Sequence, residues 1–249
     1  MVSKDHFAEA HKGDTPLILF NIWDAGSARA VAGAGAKALA TGSLSLAGAQ
    51  GFEDGEQIPF AALVATVSQI AKVSDLPLTV DFEGGYAEDL STLASHASAL
   101  REAGAVGCNL EDQLIGGKGL RALGEQAERI ATVVEAGLFV NARTDLFLSL
   151  LMRGENANRA DLIDAALARA TAYHEAGAGC FFVPGLSDAD LIRDLCAGSP
   201  MPVNIMRLDG IMSNAELAAL GVARISYGPA PWAQAMAFVQ EAARVEFTS

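Results

Sequence analysis

The sequence predicts one domain of the α/β class, a (β/α)8 (TIM) barrel, on three observations: eight short apolar runs, amphipathic segments between them, and polar residues gathered where the runs end. The runs fall at 17–22, 38–41, 78–82, 106–110, 138–142, 180–183, 203–206 and 223–226. They are apolar on both alternating faces, as parallel strands covered by crossover helices are. Between them, Phe60, Leu63, Val64, Val67 and Ile70, then Leu90, Leu93, Ala97 and Leu100, recur at helical spacing. Gly35, Gly104, Gly137 and Gly177 each stand just before a run, where a helix C-cap takes a left-handed residue. No linker or low-complexity stretch divides residues 1–249, and residues 1–15 form a polar N-terminal segment. An open doubly wound sheet would carry a glycine-rich turn between a strand and its helix. Here Gly33-Ala34-Gly35 precedes a strand, and Gly116-Gly117-Lys118-Gly119 lacks the Walker spacing with its Ser or Thr.

A chain of 249 residues that is 51% hydrophobic can bury one large core. Its net charge of -13 opposes nucleic-acid phosphates and anionic membrane surfaces. The expected partner is a small anionic substrate, which must be drawn in by a local cation, either a metal or a placed Arg. The N-terminus has no apolar signal region, and no apolar run approaches the roughly 18 residues of a membrane span, so a cytoplasmic protein is expected. The three cysteines, Cys108, Cys180 and Cys196, are widely separated and odd in number, which fits reduced, buried thiols.

Active sites of such barrels lie at the C-terminal strand ends. There the sequence places Asn21 and Asp24, Thr41, Gly42 and Ser43, Asp81 and Glu83, Glu111 and Asp112, Asn141, Arg143, Thr144 and Asp145, then Asn204 and Arg207. Asp24, Asp112 and Asp145 can each be read as the N-cap of a following helix. Asp81, Glu83 and Glu111 differ: three carboxylates converging from neighbouring strands repel one another unless protonated or neutralised by a cation. Oxygen-only ligands suit Mg2+, with Mn2+ as the alternative. His6, His11, His96 and His174 lie in the N-terminal segment or in helices, which leaves them surface or packing roles and disfavours a His-ligated zinc. Lys37 enters a strand at the wrong end for a Schiff-base lysine, and Lys118 sits on the glycine-rich loop. Arg143 has two readings, a clamp on a substrate carboxylate or phosphonate and a structural ion pair with a site acid. The polar loop 51–56 reads either as a flap delivering Asp54 or as a surface turn.

The chain resembles the isocitrate lyase / phosphoenolpyruvate mutase superfamily in Asn21-Ile22-Trp23-Asp24-Ala25, Ala40-Thr41-Gly42-Ser43 with Gly51-Phe52-Glu53-Asp54-Gly55, Val80-Asp81-Phe82-Glu83-Gly84-Gly85-Tyr86, Asn109-Leu110-Glu111-Asp112, Asn141-Ala142-Arg143-Thr144-Asp145, Val183-Pro184-Gly185 and Arg224-Ile225-Ser226-Tyr227-Gly228. The resemblance implies a Mg2+-dependent barrel that makes or breaks a bond at C3 of a pyruvate-like or succinate-like fragment through an enolate. It implies that Asp81 touches the metal, with Glu83 and Glu111 holding it through water. Thr41, Gly42, Ser43, Arg143 and Asn204 would line the substrate, and Asp54, Arg143 and Glu111 would carry the catalysis.

Where family lyases have a Lys-Lys/Arg-Cys-Gly-His motif, this chain reads Gln113-Leu114-Ile115-Gly116-Gly117-Lys118-Gly119, without Cys or His. That points away from cleavage of isocitrate or methylisocitrate. The expected function is a carbon–carbon lyase or decarboxylase of a small 2-oxo or hydroxy dicarboxylic acid. The alternatives are phosphonopyruvate hydrolase or phosphonomutase chemistry, and a catalytically degenerate barrel that binds metal and carboxylate. The resemblance also allows a homo-oligomer.

Overall fold

In a computed structural model, which describes residues 4–13, 15–208, 210 and 212–248, the eight strands are β1 (Leu17–Leu19), β2 (Leu39–Ala40), β3 (Leu78–Asp81), β4 (Gly107–Glu111), β5 (Phe139–Arg143), β6 (Cys180–Phe182), β7 (Val203–Met206) and β8 (Arg224–Ser226). They form one parallel sheet in the order β1-β8-β7-β6-β5-β4-β3-β2. β1 and β2 end that order and meet through a parallel bridge between Ile22 and Thr41, so the barrel is nearly closed. Asn21 reinforces the seam: its Nδ2 donates to the Thr41 carbonyl at 2.8 Å, and its Oδ1 accepts the Tyr227 and Gly228 amides, each at 2.9 Å.

Helix α1 (Lys4–Glu9) precedes the barrel. α2 (Ala25–Gly33), α3 (Ser43–Gly48), α4 (Phe60–Ala71), α5 (Leu90–Glu102), α6 (Leu123–Glu135), α7 (Leu148–Met152), α8 (Ile163–Glu175), α9 (Ala189–Gly198), α10 (Asn214–Ala219) and α11 (Ala230–Thr248) follow the strands. The outward strand residues Val80, Leu110, Val140, Ile205 and Ile225 pack against helix residues such as Val67, Leu93, Ile130 and Ala166, all fully buried. This explains the doubly apolar runs: one face meets the helices and the other fills the barrel. The four cap glycines Gly35, Gly104, Gly137 and Gly177 all have positive φ, between 93° and 112°. No helix among the described residues is long and apolar enough to cross a membrane. All three cysteines are free, with Cys108 and Cys180 buried.

The polar N-terminal segment does more than its composition suggests. Phe7 of α1 is fully buried with Leu17, Ala38, Phe139 and Cys180, where β1, β2 and β5 begin, and so plugs the N-terminal mouth of the barrel. His11, at the end of that segment, is 3% exposed and stacks on Phe139 at 4.7 Å. One apolar side chain in a polar stretch carries too little periodicity to be read as core. His96 does have the packing role expected of it, stacked on Phe60 at 3.8 Å.

Candidate active site

The two-residue period of β3, β4 and β5 turns Asp81, Asn109, Glu111, Asn141 and Arg143 toward the barrel axis. Register sets Asp81 beside Asn109 and Asn109 beside Asn141, with Glu111 beside Arg143 nearer the C-terminal end. In the lower layer, Asn109 Oδ1 accepts from Asn141 Nδ2 at 2.7 Å and from Arg224 at 3.2 Å. Its Nδ2 is thereby directed at Asp81 Oδ1, 3.4 Å away. The other carboxylate oxygen of Asp81 accepts the Ser43 amide at 3.1 Å, which joins the β2 end to β3. Arg224 is wholly buried, and burial lowers its pKa to about 10.

In the upper layer, Arg143 Nη1 forms an ion pair with Glu111 Oε2 at 2.8 Å, and Nη2 and Nε donate to Asp145 Oδ1 at 2.7 and 3.2 Å. The ion-pair reading of Arg143 is therefore realised. Two of the five guanidinium N–H bonds are engaged by Asp145, which leaves N–H bonds on both Nη1 and Nη2 to face a carboxylate. Burial works against the Arg143 charge, yet Asp145 and Glu111 together hold its pKa well above the ordinary value. Burial and the nearby charges of Asp145, Asp81 and Glu83 push Glu111 well upward, and Arg143 offsets part of this.

Glu83 leans away from the axis. Its Oε2 accepts the Glu56 amide and its Oε1 the Tyr86 hydroxyl, both at 2.7 Å. Burial, with smaller contributions from the Asp81 and Asp54 charges, pushes its pKa to about 7. Asp54 stands at the lip of the site within reach of the Ser43 side chain. Desolvation and the Asp81 charge raise its pKa, while Ser43 and Arg143 partly restore the charged form. Beside it, a cavity of about 440 Å³ opens between Asp54, Glu56, Gln113 and Ile115.

Among the described residues, no three His, Cys, Asp or Glu side chains close directly around one ion position. The convergence expected of Asp81, Glu83 and Glu111 is thus looser than their strand positions suggest, because Tyr86 and the Glu56 amide draw Glu83 aside and Arg143 draws Glu111 aside. The donor set still fits Mg2+, which needs only one or two carboxylates beside its waters. It is all oxygen, and burial first, then the charge of neighbouring carboxylates, pushes Glu83 and Glu111 toward protonation; a cation would relieve the second of these.

Several strand-end residues serve the scaffold. The Thr41 hydroxyl accepts the Asp81 amide at 2.9 Å and is 1% exposed. Asn204 is closed off from solvent and bonded to Ser226 at 3.1 Å. Gly42 is the N-cap residue of α3, where a Cβ would stand 2.9 Å from Ser45 Oγ. Asp24 caps α2 through the Ser27 amide at 2.7 Å, as read from the sequence. The capping readings of Asp112 and Asp145 are corrected. Asp112 binds the Asp145 amide, Arg169 and the Tyr173 hydroxyl at 2.8–3.0 Å, and Asp145 binds Arg143, because buried cations and a phenol lie closer than any free helix amide.

Sequence reasoning missed the roles of Glu56, Tyr86, Asn109 and Arg224. For Asn109 the signal was available, since it lies two residues before Glu111 and so on the same strand face.

The family model for phosphoenolpyruvate phosphomutase matches residues 7–246. The chain is 30% identical over 240 residues to an uncharacterised protein of Mycobacterium tuberculosis, covering 96% of this chain and 87% of that one. It is 34% identical over 198 residues to an oxaloacetate decarboxylase of Paraburkholderia xenovorans, covering 74% of this chain and 64% of the other. A crystal structure of a Burkholderia cenocepacia J2315 protein, provisionally assigned as a phosphonomutase, superposes with a TM-score of 0.91 at 47% identity, over 97% of this chain and 99% of the other.

Proposed function

The chain belongs to the phosphoenolpyruvate phosphomutase family, within the isocitrate lyase / PEP mutase superfamily, and on that premise we propose that it is a Mg2+-dependent carbon–carbon lyase or decarboxylase of a small 2-oxo or hydroxy dicarboxylic acid. The observation that carries this reading is the Ser43 amide on Asp81 at 3.1 Å with Asp54 at the same lip. A metal-seeking carboxylate, a backbone donor and an acid of raised pKa then share one edge of the pocket.

Asp81 would hold the ion, with Glu83 and Glu111 reaching its waters. Bound Mg2+ supplies Lewis-acid stabilisation of negative charge developing on the substrate's 2-oxo oxygen. The remaining N–H bonds of Arg143 orient a substrate carboxylate, and the Glu111 and Asp145 ion pairs fix the guanidinium. In decarboxylation the C3–C4 bond breaks, CO2 leaves, and the electron pair passes into the enolate. Asp54, whose pKa is raised by desolvation and the Asp81 charge, gives or takes the proton at C3.

Phosphonate chemistry is the second reading, favoured by the 47% identity to the provisionally assigned phosphonomutase. Against it, the β4 loop folds back on itself through the Gln113–Leu120 bridge, and of its two cationic side chains, Lys118 and Arg121, the latter is paired with Glu125 at 2.7 Å. Oxaloacetate, alkylmalates, methylisocitrate and phosphonopyruvate, each assayed for product, separate the readings. Pyruvate without phosphate supports the lyase. Pyruvate with phosphate moves the answer to phosphonate cleavage. Oxalate binding without turnover of any substrate identifies a binding protein.

A further inference from the structure

The described residues include three non-glycine residues in the left-handed region, Glu56 (φ 58°), Glu83 (φ 49°) and Tyr86 (φ 54°), and all three belong to one hydrogen-bonded ring. The Glu56 amide donates to Glu83 Oε2, the Tyr86 hydroxyl to Glu83 Oε1, and the Tyr86 amide to Glu56 Oε1, each at 2.7 Å. Side chains rarely adopt this conformation, and such strain persists where surrounding bonds over-determine it. The ring ties the 51–59 loop, between α3 and α4, to the end of β3. Tyr86 is itself fixed by Phe82 and Phe60, whose ring centroids lie 6.3 and 5.7 Å away. Gly84 permits the approach, since a Cβ there would lie 3.2 Å from Glu56 Oε1 and 3.0 Å from Ile115.

Asp54 is two residues before Glu56 on that loop, and Gly51 (φ 81°) and Gly55 (φ 87°) give the loop its turns. We infer that Glu56 and Tyr86 are positioning residues: with Glu83 they form a latch that holds the 51–59 loop down and sets the Asp54 carboxylate beside Ser43 and Asp81. The longer reach of Glu at position 83 is what lets one carboxylate bridge the loop amide and the tyrosine hydroxyl. An Asp at this position, one methylene shorter, would reach fewer of these donors. Burial and the Glu83 and Glu56 charges push the Tyr86 pKa upward, so its hydroxyl stays a donor.

This inference rests on the proposed role of Asp54, and its test separates the two. Hydrogen–deuterium exchange of the 51–59 amides and steady-state kinetics are measured with Mg2+ on the full chain and on Tyr86→Phe, Glu56→Ala and Asp54→Asn. Loss of a latch bond is expected to speed loop exchange about tenfold while β3–β5 amides keep wild-type protection. In the same two variants kcat falls by a similar factor and KM changes little. Asp54→Asn is expected to lose turnover with loop exchange unchanged. Wild-type loop exchange in both Tyr86→Phe and Glu56→Ala overturns the latch, as does faster exchange with an undiminished kcat. Full turnover by Asp54→Asn defeats the role given to Asp54 and leaves the exchange measurement to decide whether the latch exists.

Discussion

Arg143 and Glu111, paired across the β4–β5 ladder, form a 2.8 Å ion pair in the upper layer of the candidate site, with both side chains largely shielded from water. Asp145 completes the arrangement from the other side of the guanidinium. Removing the cation leaves two carboxylates without their partner in a low-dielectric pocket. Arg143→Met is therefore expected to lower unfolding free energy by about 3–5 kcal/mol, the usual cost of breaking a buried pair from one side. Urea denaturation at pH 7 measures it. A change below about 1 kcal/mol would mean that the pair is solvated and outside the range for buried pairs.

Phe7 seals the opposite end of the barrel. Phe7→Ala is expected to destabilise the protein by about 3–5 kcal/mol, the range for emptying a buried aromatic site. The same denaturation experiment reads it. Stability equal to wild type would show that α1 does not dock in solution.

His11 makes this plug sensitive to pH. Burial, then the Arg224 charge, lowers its pKa from 6.5 to about 3, against a smaller opposing effect of the Phe7 carbonyl. The unfolded chain takes a proton near 6.5 and the folded one only near 3, so between these values the unfolded state binds more protons. The His11 contribution is present above pH 6.5 and is lost as pH falls, by up to about 1.4 kcal/mol per pH unit. The difference between wild type and His11→Leu, followed by urea unfolding from pH 7 to 4.5, isolates the effect from the carboxylates. Parallel pH profiles for the two proteins would refute it.

Mg2+ that binds the folded site alone raises the thermal midpoint with concentration. Millimolar Mg2+ is expected to shift the midpoint of the wild type and not that of Asp81→Asn. An equal shift in both would place the ion elsewhere.

The barrel was legible because its signal is repeated: eight apolar runs, four cap glycines with positive φ, and polar strand ends on one face. Strand ends also named Asp81, Glu111 and Arg143, since a two-residue period settles which side chains share the axis. What the sequence did not disclose depends on competition between partners in space. Asp112 reads as a cap until Arg169 and Tyr173 are brought to it from α8. Glu83 reads as one of three acids converging on a metal, reaching it through water, until the Glu56 amide and the Tyr86 hydroxyl engage both its oxygens. Thr41 and Asn204 sit at strand ends like substrate ligands, yet the backbone of Asp81 and the side chain of Ser226 occupy them.

The central claim is that Asp81 and Mg2+ together enable carbon–carbon cleavage of a 2-oxo or hydroxy dicarboxylic acid. The most direct test is pyruvate release from the substrate panel by wild type and by Asp81→Asn, each with Mg2+ and with excess chelator. The account predicts turnover of at least one diacid that disappears with chelator, returns with Mg2+, and is lost by about a hundredfold or more in Asp81→Asn, the scale on which removing one transition-state electrostatic partner acts. Diacid cleavage that survives chelation, or that Asp81→Asn retains in full, would contradict it.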